Sequence, residues 1–349
     1  DKLNSKVKFV SPVSGMIPEI QFGERRVIER IVIKNDGASN ILKADLPEAA
    51  KLSPEDLKSK LSESGLWPTI RQRPFSKIAN PIQTPRDIFV SVYSTAPFSP
   101  NNAFVLGGRE EDFQMGLDAL AKLTSGSIHL NMHGDESAPI FTKAKNVIIN
   151  TFNGQHPAGN IGVQIHHIAP ITSKEDVVWY LDAQSVADIG EYLRTGSYPI
   201  EKIISIGGSS ISEPTYVKII KGTGLNAILD GKLNSSNDVR IISGDILSGE
   251  TRSLEQGIRF YDEIVSVIPE STEREFLGWA LPGLKKYSLS RTFLSALLPK
   301  KSTLFNTSMN GSQRPIISFG RWESVLPMDI LPEFLVKSIL AEDIEEMEK

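Results

Sequence analysis

Cysteine is absent from the 349-residue sequence, and this absence excludes several kinds of site at once. Without a thiolate these residues form no disulfide, no cysteine-ligated iron–sulfur cluster and no cysteine-ligated zinc site, and such a sequence fits a reducing cytoplasm. Long apolar runs are missing too, since the longest, such as Phe276 to Leu284, are interrupted by Gly and Pro and are too short to cross a bilayer. We therefore expect no transmembrane segment here, so that any link to a membrane runs through a partner.

An excess of positive charge and phosphate-binding loops are also lacking. The formal net charge is −4, which gives no electrostatic basis for nucleic-acid binding. The nucleotide motifs G-x-G-x-x-G and G-x-x-x-x-G-K-S/T do not occur, and neither does the G-x-S-x-G turn of serine hydrolases. Gly107-Gly108 and Gly207-Gly208 lie at element boundaries and are interpreted as turn residues. Nucleotide-dependent and serine hydrolase chemistry therefore have little support.

The composition that remains is that of an ordinary globular protein, with 40% hydrophobic and 23% charged residues. A chain of this length predicts two or three domains. The start, DKLNSKVKFV, has neither an initiator Met nor a secretion signal, and the end, EDIEEMEK, stops inside a helical pattern. We expect the chain to be a fragment cut at both ends.

The first two hundred residues change from a β pattern to alternating strands and helices. Residues 7–34 alternate apolar and polar positions and predict a small antiparallel unit of the strands VKFVSP, MIPEIQF and RVIERIVIK. A helix is predicted from Ser53, a good N-cap, to Gly65. The later elements are predicted as strands at 87–95, 127–131 and 146–152 and helices at 109–124 and 183–194. This order favours a parallel, Rossmann-like sheet.

The remaining residues predict a second, smaller module. Strands at 201–208 and 215–220, a helix at 225–230 and a strand at 239–243 are typical of a β-grasp-like unit. The segments 258–268 and 274–294 read as β-rich or mixed structure. Pro327 and Pro332 introduce a final helix, and the acidic residues 342–348 are interpreted as a solvated face. The apolar side of that helix is predicted to be Phe334, Leu335, Ile339 and Leu340.

One stretch, Ser64 to Gln83, is unusual for a junction between a helix and a strand. It reads SGLWPTIRQRPFSKIANPIQ and predicts a rigid loop that offers positive charge and flat apolar surface together. Arginine beside aromatic rings is typical of interface hot spots, and an anion site is the competing interpretation. An ordinary solvated loop anchored by its aromatic residues is the third. The candidate residues are Trp67, Arg71, Arg73, Phe75 and Lys77.

The histidines give a second candidate loop, around His156 and Gly159 in GQHPAGNIG. A zinc site needs three or four converging ligands, and the adjacent His166 and His167 would point to opposite faces of a strand. We therefore expect no metal site. The simpler interpretation is a Gly/Pro turn with one packed and one exposed imidazole.

Several separated blocks resemble one family, the A subunit of the sodium-translocating NADH:quinone reductase. They cover nearly all 349 residues in order, so the resemblance is more specific than any single motif. The blocks are VKFVSPVSG with GERRVIERIVI, SGLWPTIRQRPFSKI, REEDFQMGLDAL, HPAGNIGVQIHHIAP, VRIISGDILSG, REFLGWALPG, and NGSQRPI through VLPMDILP.

The resemblance implies a multidomain protein of the α+β and α/β classes. Its Rossmann-like domain is expected to be similar to the flavoprotein subunit of complex I, and its β-grasp domain to be of the soluble-ligand-binding type. The implied boundaries are 1–45 for a partial barrel-sandwich domain, 46–199 for the Rossmann-like domain, 200–255 for the β-grasp domain, 256–325 for a β-rich or mixed segment and 326–349 for the start of a C-terminal helical region.

The resemblance also bears on cofactors. The complex I flavoprotein subunit, like the C subunit of the Rnf complex, carries a loop of the pattern GxGGAGFPT that cradles FMN. By position it corresponds here to GLWPTIRQRPFSK, in which bulky and cationic residues replace the glycines. Side chains there would occupy the space in which backbone amides approach a phosphate. We expect this chain to bind no FMN, no NADH and no iron–sulfur cluster.

The family implies a peripheral subunit on the cytoplasmic face of the bacterial inner membrane. It is expected to dock on the membrane-embedded B subunit near the ubiquinone site, in a complex that oxidises NADH, reduces ubiquinone and exports sodium. Flavins and a 2Fe-2S centre would belong to other subunits, and no residue here is expected to be catalytic. Two alternatives remain: a flavin- or nucleotide-dependent enzyme acting alone, and a β-grasp module that binds small ligands.

Overall fold

The computed structural model describes residues 6–234, 238–271, 277–278, 280–284, 286–287, 291–299, 304–308, 315–317 and 320–347. Their contacts divide the chain into two compact units. The first lies within residues 1–96, 100–203 and 218–222, and the second lies within residues 97–99, 204–217 and 223–349. Each unit is built on its own elements, and both candidate loops belong to the first.

The N-terminal β unit is an antiparallel pair, β1 (Gly15–Phe22) and β2 (Ile28–Asn35). This confirms two of the three strands predicted for residues 7–34, with bounds that differ by one or two residues. The prediction of a strand at VKFVSP was wrong. Val7 is instead buried against the core, and the amide of Lys8 donates to the carbonyl of Ser62 at 3.2 Å. These residues lie beside the helix that contains Ser62. The alternating sequence pattern there therefore has, among the described residues, no neighbouring strand with which to pair.

The first long helix, α1 (Pro54–Ser64), is confirmed together with its predicted caps. The hydroxyl oxygen of Ser53 accepts the amide of Asp56 at 3.1 Å, and Gly65 ends the helix at φ +83°. That left-handed conformation favours glycine. The buried face carries Leu57 and Leu61, as their spacing predicts.

A six-stranded sheet forms the centre of the first unit. Four strands run parallel: β5 (Ile88–Ser91), β6 (Ile128–His133), β7 (Ile148–Phe152) and β8 (Val178–Asp182). Two short antiparallel strands, β3 (Arg71–Arg73) and β4 (Lys77–Ile78), extend it to the order β4-β3-β8-β5-β6-β7. The predicted parallel strands are found with changed bounds, and β3, β4 and β8 were not predicted.

Four helices connect the parallel strands, and a fifth follows β8. They are α2 (Asn102–Val105), α3 (Glu110–Ala121), α4 (Pro139–Thr142), α5 (Ile161–Ile168) and α6 (Ala183–Thr195). The predicted helices at 109–124 and 183–194 are confirmed. The strand assumed around His166 and His167 was wrong, because both lie in the last turn of α5.

The two faces of the sheet differ in chemistry. Helices α3 and α6 belong to a large apolar core that includes Leu130, Phe113 and Trp179. The opposite face packs a small cluster of Phe89, Ile165 and Val178 under α5 and otherwise carries polar side chains. Strand β5 lies between β6 and β8, so the chain order reverses there, and such reversals are where open α/β sheets bind ligands.

The second unit contains a mixed five-stranded sheet of the order β10-β9-β13-β11-β12. Only β13 and β9 are paired in parallel among the pairs that the structure specifies. The predicted strand–strand–helix–strand order is present, whereas β12 was not predicted. The elements are β9 (Glu201–Gly207), β10 (Thr215–Ile220), α7 (Leu225–Leu229), β11 (Val239–Ser243), β12 (Glu250–Arg252) and β13 (Ile264–Pro269).

The C-terminal helix α8 (Pro332–Ala341) is confirmed and is followed by the short α9 (Ile344–Met347). Its predicted apolar side is exposed, from 36% at Leu335 to 70% at Leu340. Much of the predicted segment 274–294 lies outside the described residues. No helix in the described part of the chain has the length and apolarity to cross a bilayer.

Candidate functional site

The stretch from Ser64 to Gln83 contains a short β-hairpin, so its prediction as a loop was wrong for residues 71–78. After Gly65 a single 3₁₀ turn, Trp67–Thr69, leads into β3, and the chain returns along β4. Strand β3 also pairs with β8, where Arg71 lies opposite Tyr180. Strand β8 comes about one hundred residues later in the sequence. Because β3 pairs with it, this proline-rich segment forms one edge of the sheet.

Trp67 lies inside the core rather than on a surface. Its exposed fraction is 0%, and its indole Nε1 donates to the carbonyl oxygen of Ala79 at 2.7 Å. The ring packs edge-to-face on Trp179 with centroids 5.4 Å apart. Of the five candidates in this stretch, Trp67 therefore anchors the hairpin and is unavailable to a partner.

The two arginines lie on one face of β3 and flank a tyrosine ring. Their guanidinium carbons are 5.9 Å (Arg71) and 5.3 Å (Arg73) from the centroid of Tyr180. Nη2 of Arg71 donates to the carbonyl of Ser76 and, at 2.9 Å, to its hydroxyl, which lies 2.7 Å from the Tyr180 hydroxyl. Because residues i and i+2 share a face, Gln72 points the other way and is buried. The result is a fixed cluster of two half-buried cations and one phenol.

The hairpin tip presents the other two candidates to solvent. Phe75 is 75% exposed and Lys77 is exposed as well. Phe75 and Ser76 adopt φ values of +73° and +46°, a region that costs free energy for residues with a Cβ. The hydrogen bonds from Arg71 to Ser76 hold the tip in that conformation. An exposed aromatic ring is thus carried on a locally constrained turn.

The second candidate loop joins β7 to α5. Nδ1 of His156 lies 3.1 Å from Thr95 Oγ1, which also accepts the amide of Gly159 at 3.0 Å. A Cβ on Gly159 would lie 2.3 Å from the amide nitrogen of Thr95. Glycine is therefore required at this position because two loops approach each other closely. Thr95 contacts both His156 and Gly159 and holds them in place.

The two loops, about eighty residues apart in sequence, meet at the first turn of α5. A Cβ on Gly162 would lie 3.8 Å from Nη2 of Arg73, an ordinary van der Waals distance. Gly159 precedes that turn directly. The structure therefore brings the guanidinium of Arg73 close to the loop of His156 and Gly159, and it leaves Trp67 in the core. The backbone of Arg73 pairs with Val178, the first residue of β8, so the hairpin tip with Phe75 lies at the amino end of β8.

A buried polar track connects this region to the interior of the sheet. Asn150 Nδ2 lies 3.2 Å from His129 Nδ1 and donates to Asn131 Oδ1 at 3.1 Å. Asn131 donates to Gln164 Oε1 at 3.0 Å, and Gln164 Nε2 approaches the carbonyl of Gly159 at 3.4 Å. Gln164 and Asn131 are fully buried. The buried polar track therefore holds the loop of His156 and Gly159 in place through Gln164.

Burial lowers the pKa of His129, and the carboxylate of Asp87, 3.8 Å from Nε2, opposes that shift only in part. The neutral ring stacks on Phe89 with centroids 4.7 Å apart. Sequence reasoning missed this residue, although a signal was present. The strand SIHLNMH alternates apolar and polar residues, which places His129, Asn131 and His133 on one face.

This geometry suits recognition. Two guanidinium groups and a phenol stand beside an exposed phenyl ring, which is the composition of protein–protein hot spots. The backbone of the hairpin is already engaged, since the amides of Thr69 and Ile70 donate to Leu66 and Trp67 and β3 pairs on both sides. Amides in that state are not directed at a phosphate.

Three family models match successive parts of the chain. They are described as the NqrA N-terminal barrel-sandwich hybrid domain over residues 1–36, the NqrA second alpha/beta domain over residues 52–198 and the NQRA C-terminal domain over residues 203–253. Both candidate loops, the first of which contains the hairpin, lie within residues 52–198. The third model carries the SLBB designation.

Curated relatives align along almost the whole chain. The A subunit of the Na(+)-translocating NADH-quinone reductase from Shewanella amazonensis is 36% identical over 348 residues, covering 99% of this chain and 77% of the relative. The same subunit from Rhodopirellula baltica is 36% identical over 353 residues, covering 99% and 76%.

Solved structures give a much weaker likeness. An NAD+-reducing NiFe-hydrogenase in the H2-reduced state has a TM-score of 0.47 and 10% identity, covering 64% of this chain and 48% of that chain. A likeness at this level supports no argument about the present chain.

Proposed function

The chain belongs to the family of the A subunit of the Na(+)-translocating NADH-quinone reductase, and from this premise we propose that it acts as a cofactor-free docking subunit. In the proposal it is a peripheral part of a complex that oxidises NADH, reduces ubiquinone and exports sodium. It lies on the cytoplasmic face of the inner membrane and contacts the membrane-embedded B subunit close to the ubiquinone site. The redox groups, flavins and a 2Fe-2S centre, are held by other subunits.

The observation that carries the docking proposal is the constrained tip at Phe75. A phenyl ring that is 75% exposed sits on a turn with two left-handed residues, next to the cations of Arg71 and Arg73. Holding such a turn costs free energy, and constrained turns cluster at binding sites. A rigid exposed aromatic also loses little conformational entropy on binding. We assign this surface to the contact with the B subunit.

The cofactor-free part of the proposal rests on the filled space at the hairpin. Trp67 and Ile70 are both fully buried there, and the neighbouring amides are paired within the 3₁₀ turn and the sheet. A phosphate would have to displace these side chains and break these hydrogen bonds. The segment that corresponds to the flavin-binding loop of the complex I subunit therefore anchors the hairpin in the core here.

Calorimetric titration of the chain with FMN or NADH is expected to give no saturable heat. The reason is that binding would require the amides of Thr69 and Ile70, which already donate to Leu66 and Trp67. A third titration, with ubiquinone-1, tests whether quinone contacts this chain directly. Stoichiometric flavin retained through purification would contradict the cofactor-free assignment, whatever the result with quinone.

Combined replacement of Arg71, Arg73 and Phe75 by alanine is expected to weaken, at least thirtyfold, the assembly with the B subunit. Loss of hot-spot residues costs about 2 kcal/mol or more at an interface, and one factor of ten corresponds to roughly 1.4 kcal/mol. Assembly is measured by co-purification with a tagged B subunit, and the KM for ubiquinone-1 is measured on the reconstituted complex.

The matched control is Phe104→Ala, which removes a phenyl ring that is 64% exposed elsewhere in the first unit. It should leave assembly and quinone affinity unchanged. The docking assignment fails if the triple variant keeps its fold by circular dichroism and yet assembles and binds quinone like the unchanged chain.

We further infer that the first unit contains a Rossmann-like domain at 46–199 and that residues 200–255 form a β-grasp domain of the soluble-ligand-binding type, to whose sheet β13 (Ile264–Pro269) is added between β9 and β11. Parallel strands joined by helices support the first assignment. The SLBB match over 203–253 supports the second. Residues 1–45 are then part of a barrel-sandwich domain, residues 256–325 a mixed segment and residues 326–349 the start of a helical region.

A further inference from the structure

A basic groove of 1080 Å³ lies on the first unit, beyond the free edge of the six-stranded sheet. Its walls are residues 6–8 on one side and residues 77–82 on the other, and α1 forms its floor. Phe75 and the arginines are not part of it. The groove is therefore a separate surface from the one assigned to the B subunit, although Lys77 borders both.

One wall of the groove is a strand edge. Strand β4 is the terminal strand of the sheet and pairs with β3 through Gln72 opposite Lys77 and Arg71 opposite Ile78. The amide of Ala79 donates to Ile70 on the β3 side. Because main-chain groups of successive residues point to opposite sides of a strand, the N–H and C=O of Ile78 point into the groove. They are positioned to pair with an added strand.

Cations stand on both walls and on the floor. Lys6 and Lys8 flank the buried Val7 and line the first wall, Lys77 lines the opposite wall, and Lys58 rises from α1. Four lysines face two carboxylates, those of Glu55 and Glu63. Within the part of the chain that the structure describes, no carboxylate lies within 4.0 Å of the ammonium groups of Lys8 or Lys77. The groove therefore attracts negative charge.

The same groove also offers apolar surface. Ile78, Pro81 and Ile82 line the wall that carries the strand edge, and Ile82 is 87% exposed. A ligand that uses all three features needs a main chain for the edge of Ile78, carboxylates for the lysines and an apolar side chain for Ile82. An extended peptide has all of these. A free phosphate has only the charge, and a flat bilayer does not enter a concave groove.

We propose that the basic groove binds an extended, acidic and apolar peptide segment of a partner protein, which adds a strand to β4. This is strand addition at a sheet edge, in which main-chain hydrogen bonds give affinity and side-chain contacts give specificity. Carboxylates of the segment lie between Lys8 and Lys77, and an apolar side chain packs on Ile82. The proposal rests on the groove and is independent of docking through Phe75.

The probe is a fluorescein-labelled octapeptide of alternating Asp or Glu and Val, and its binding to the whole 349-residue chain is followed by fluorescence anisotropy. We expect saturable binding that weakens at least tenfold in the double variant Lys8→Glu/Lys77→Glu. Lys145→Glu/Lys174→Glu, which makes the same charge change at two exposed lysines outside the groove, should bind like the unchanged chain. A peptide N-methylated at every residue, which has no N–H to donate along either edge, should also bind at least tenfold more weakly.

Three results would overturn the proposal. One is absence of saturable binding to the unmodified octapeptide. Another is equal binding of the two peptides, because charge alone would then account for the affinity. The third is binding to vesicles of phosphatidylserine and phosphatidylcholine that the groove variant abolishes while peptide binding is unaffected. Ile82→Asn, at an 87% exposed position, is the second groove variant and keeps the test valid if charge reversal disturbs the fold.

Discussion

Replacing Gly190 by alanine is expected to destabilise the first unit by about 3 kcal/mol, the upper end of the usual cost of overpacking. Helices α3 and α6 cross so closely that a Cβ on Gly190 would lie 1.8 Å from the carbonyl oxygen of Asp112. That atom belongs to the backbone and cannot rotate away, so the helices must separate. The separation would also strain the ion pair of Asp112 with Arg194, whose Nε–Oδ1 distance is 2.7 Å.

Urea denaturation followed by circular dichroism measures the change, and two further glycines make the comparison specific. Gly116→Ala should cost a similar amount, because its Cβ would meet the carbonyl oxygen of Val186 at 2.0 Å. Gly162→Ala, also in a helix, has only Arg73 Nη2 at 3.8 Å and should be neutral or stabilising by up to about 1 kcal/mol. Equal effects at all three positions would show that helix propensity, not the helix crossing, decides the outcome.

These glycines show what the sequence can and cannot predict. The apolar stripe of α6, with Val186, Ile189 and Leu193, follows from spacing alone and is confirmed as buried. The need for glycine at position 190 depends on which backbone lies opposite, and that is a tertiary fact. In the same way the caps of α1 at Ser53 and Gly65 were predictable, because each acts on residues a few positions away.

The hairpin at Arg71 to Ile78 is the opposite case. Strands of three and two residues carry almost no local signal, and β3 exists because β8 lies beside it. Strand β8 and helix α5 were themselves not predicted, so nothing in the sequence pattern indicated a partner for the stretch. Prolines and cations in a short window favour a loop locally, and the pairing with Tyr180 overrode that preference.

The candidate residues divide along the same line. Their chemical character followed from the residue types, whereas their proximity in the fold could not be predicted from the sequence. Arg73 and Gly159 come together only through α5, and Thr95, which fixes His156 and Gly159, is an ordinary residue by sequence. The family followed from blocks spread along the chain, and the comparisons confirm it independently of the geometry.

Trp67→Ala is expected to destabilise the first unit by about 3–5 kcal/mol, the usual cost of removing a buried Trp or Phe ring. The ring is 0% exposed and packs on Trp179, so its loss leaves a cavity in the main core. It also leaves the carbonyl of Ala79, which is buried, without the indole N–H at 2.7 Å. Trp67→Phe keeps most of the apolar volume and should cost about 1–3 kcal/mol, the penalty of the unsatisfied carbonyl.

Phe75→Ala is the matched comparison, because it removes an aromatic ring from the same stretch at a position that is 75% exposed. Its effect on the free energy of unfolding should stay within about 0.5 kcal/mol. If Trp67→Ala weakens folding while Phe75→Ala weakens only assembly with the B subunit, one ring holds the hairpin in the core and the other presents it to a partner. A cost below about 1 kcal/mol for Trp67→Ala would contradict the anchor. Phe75 would then be carried on a hairpin whose position the core does not fix, and the case for a constrained docking surface would lose its physical basis.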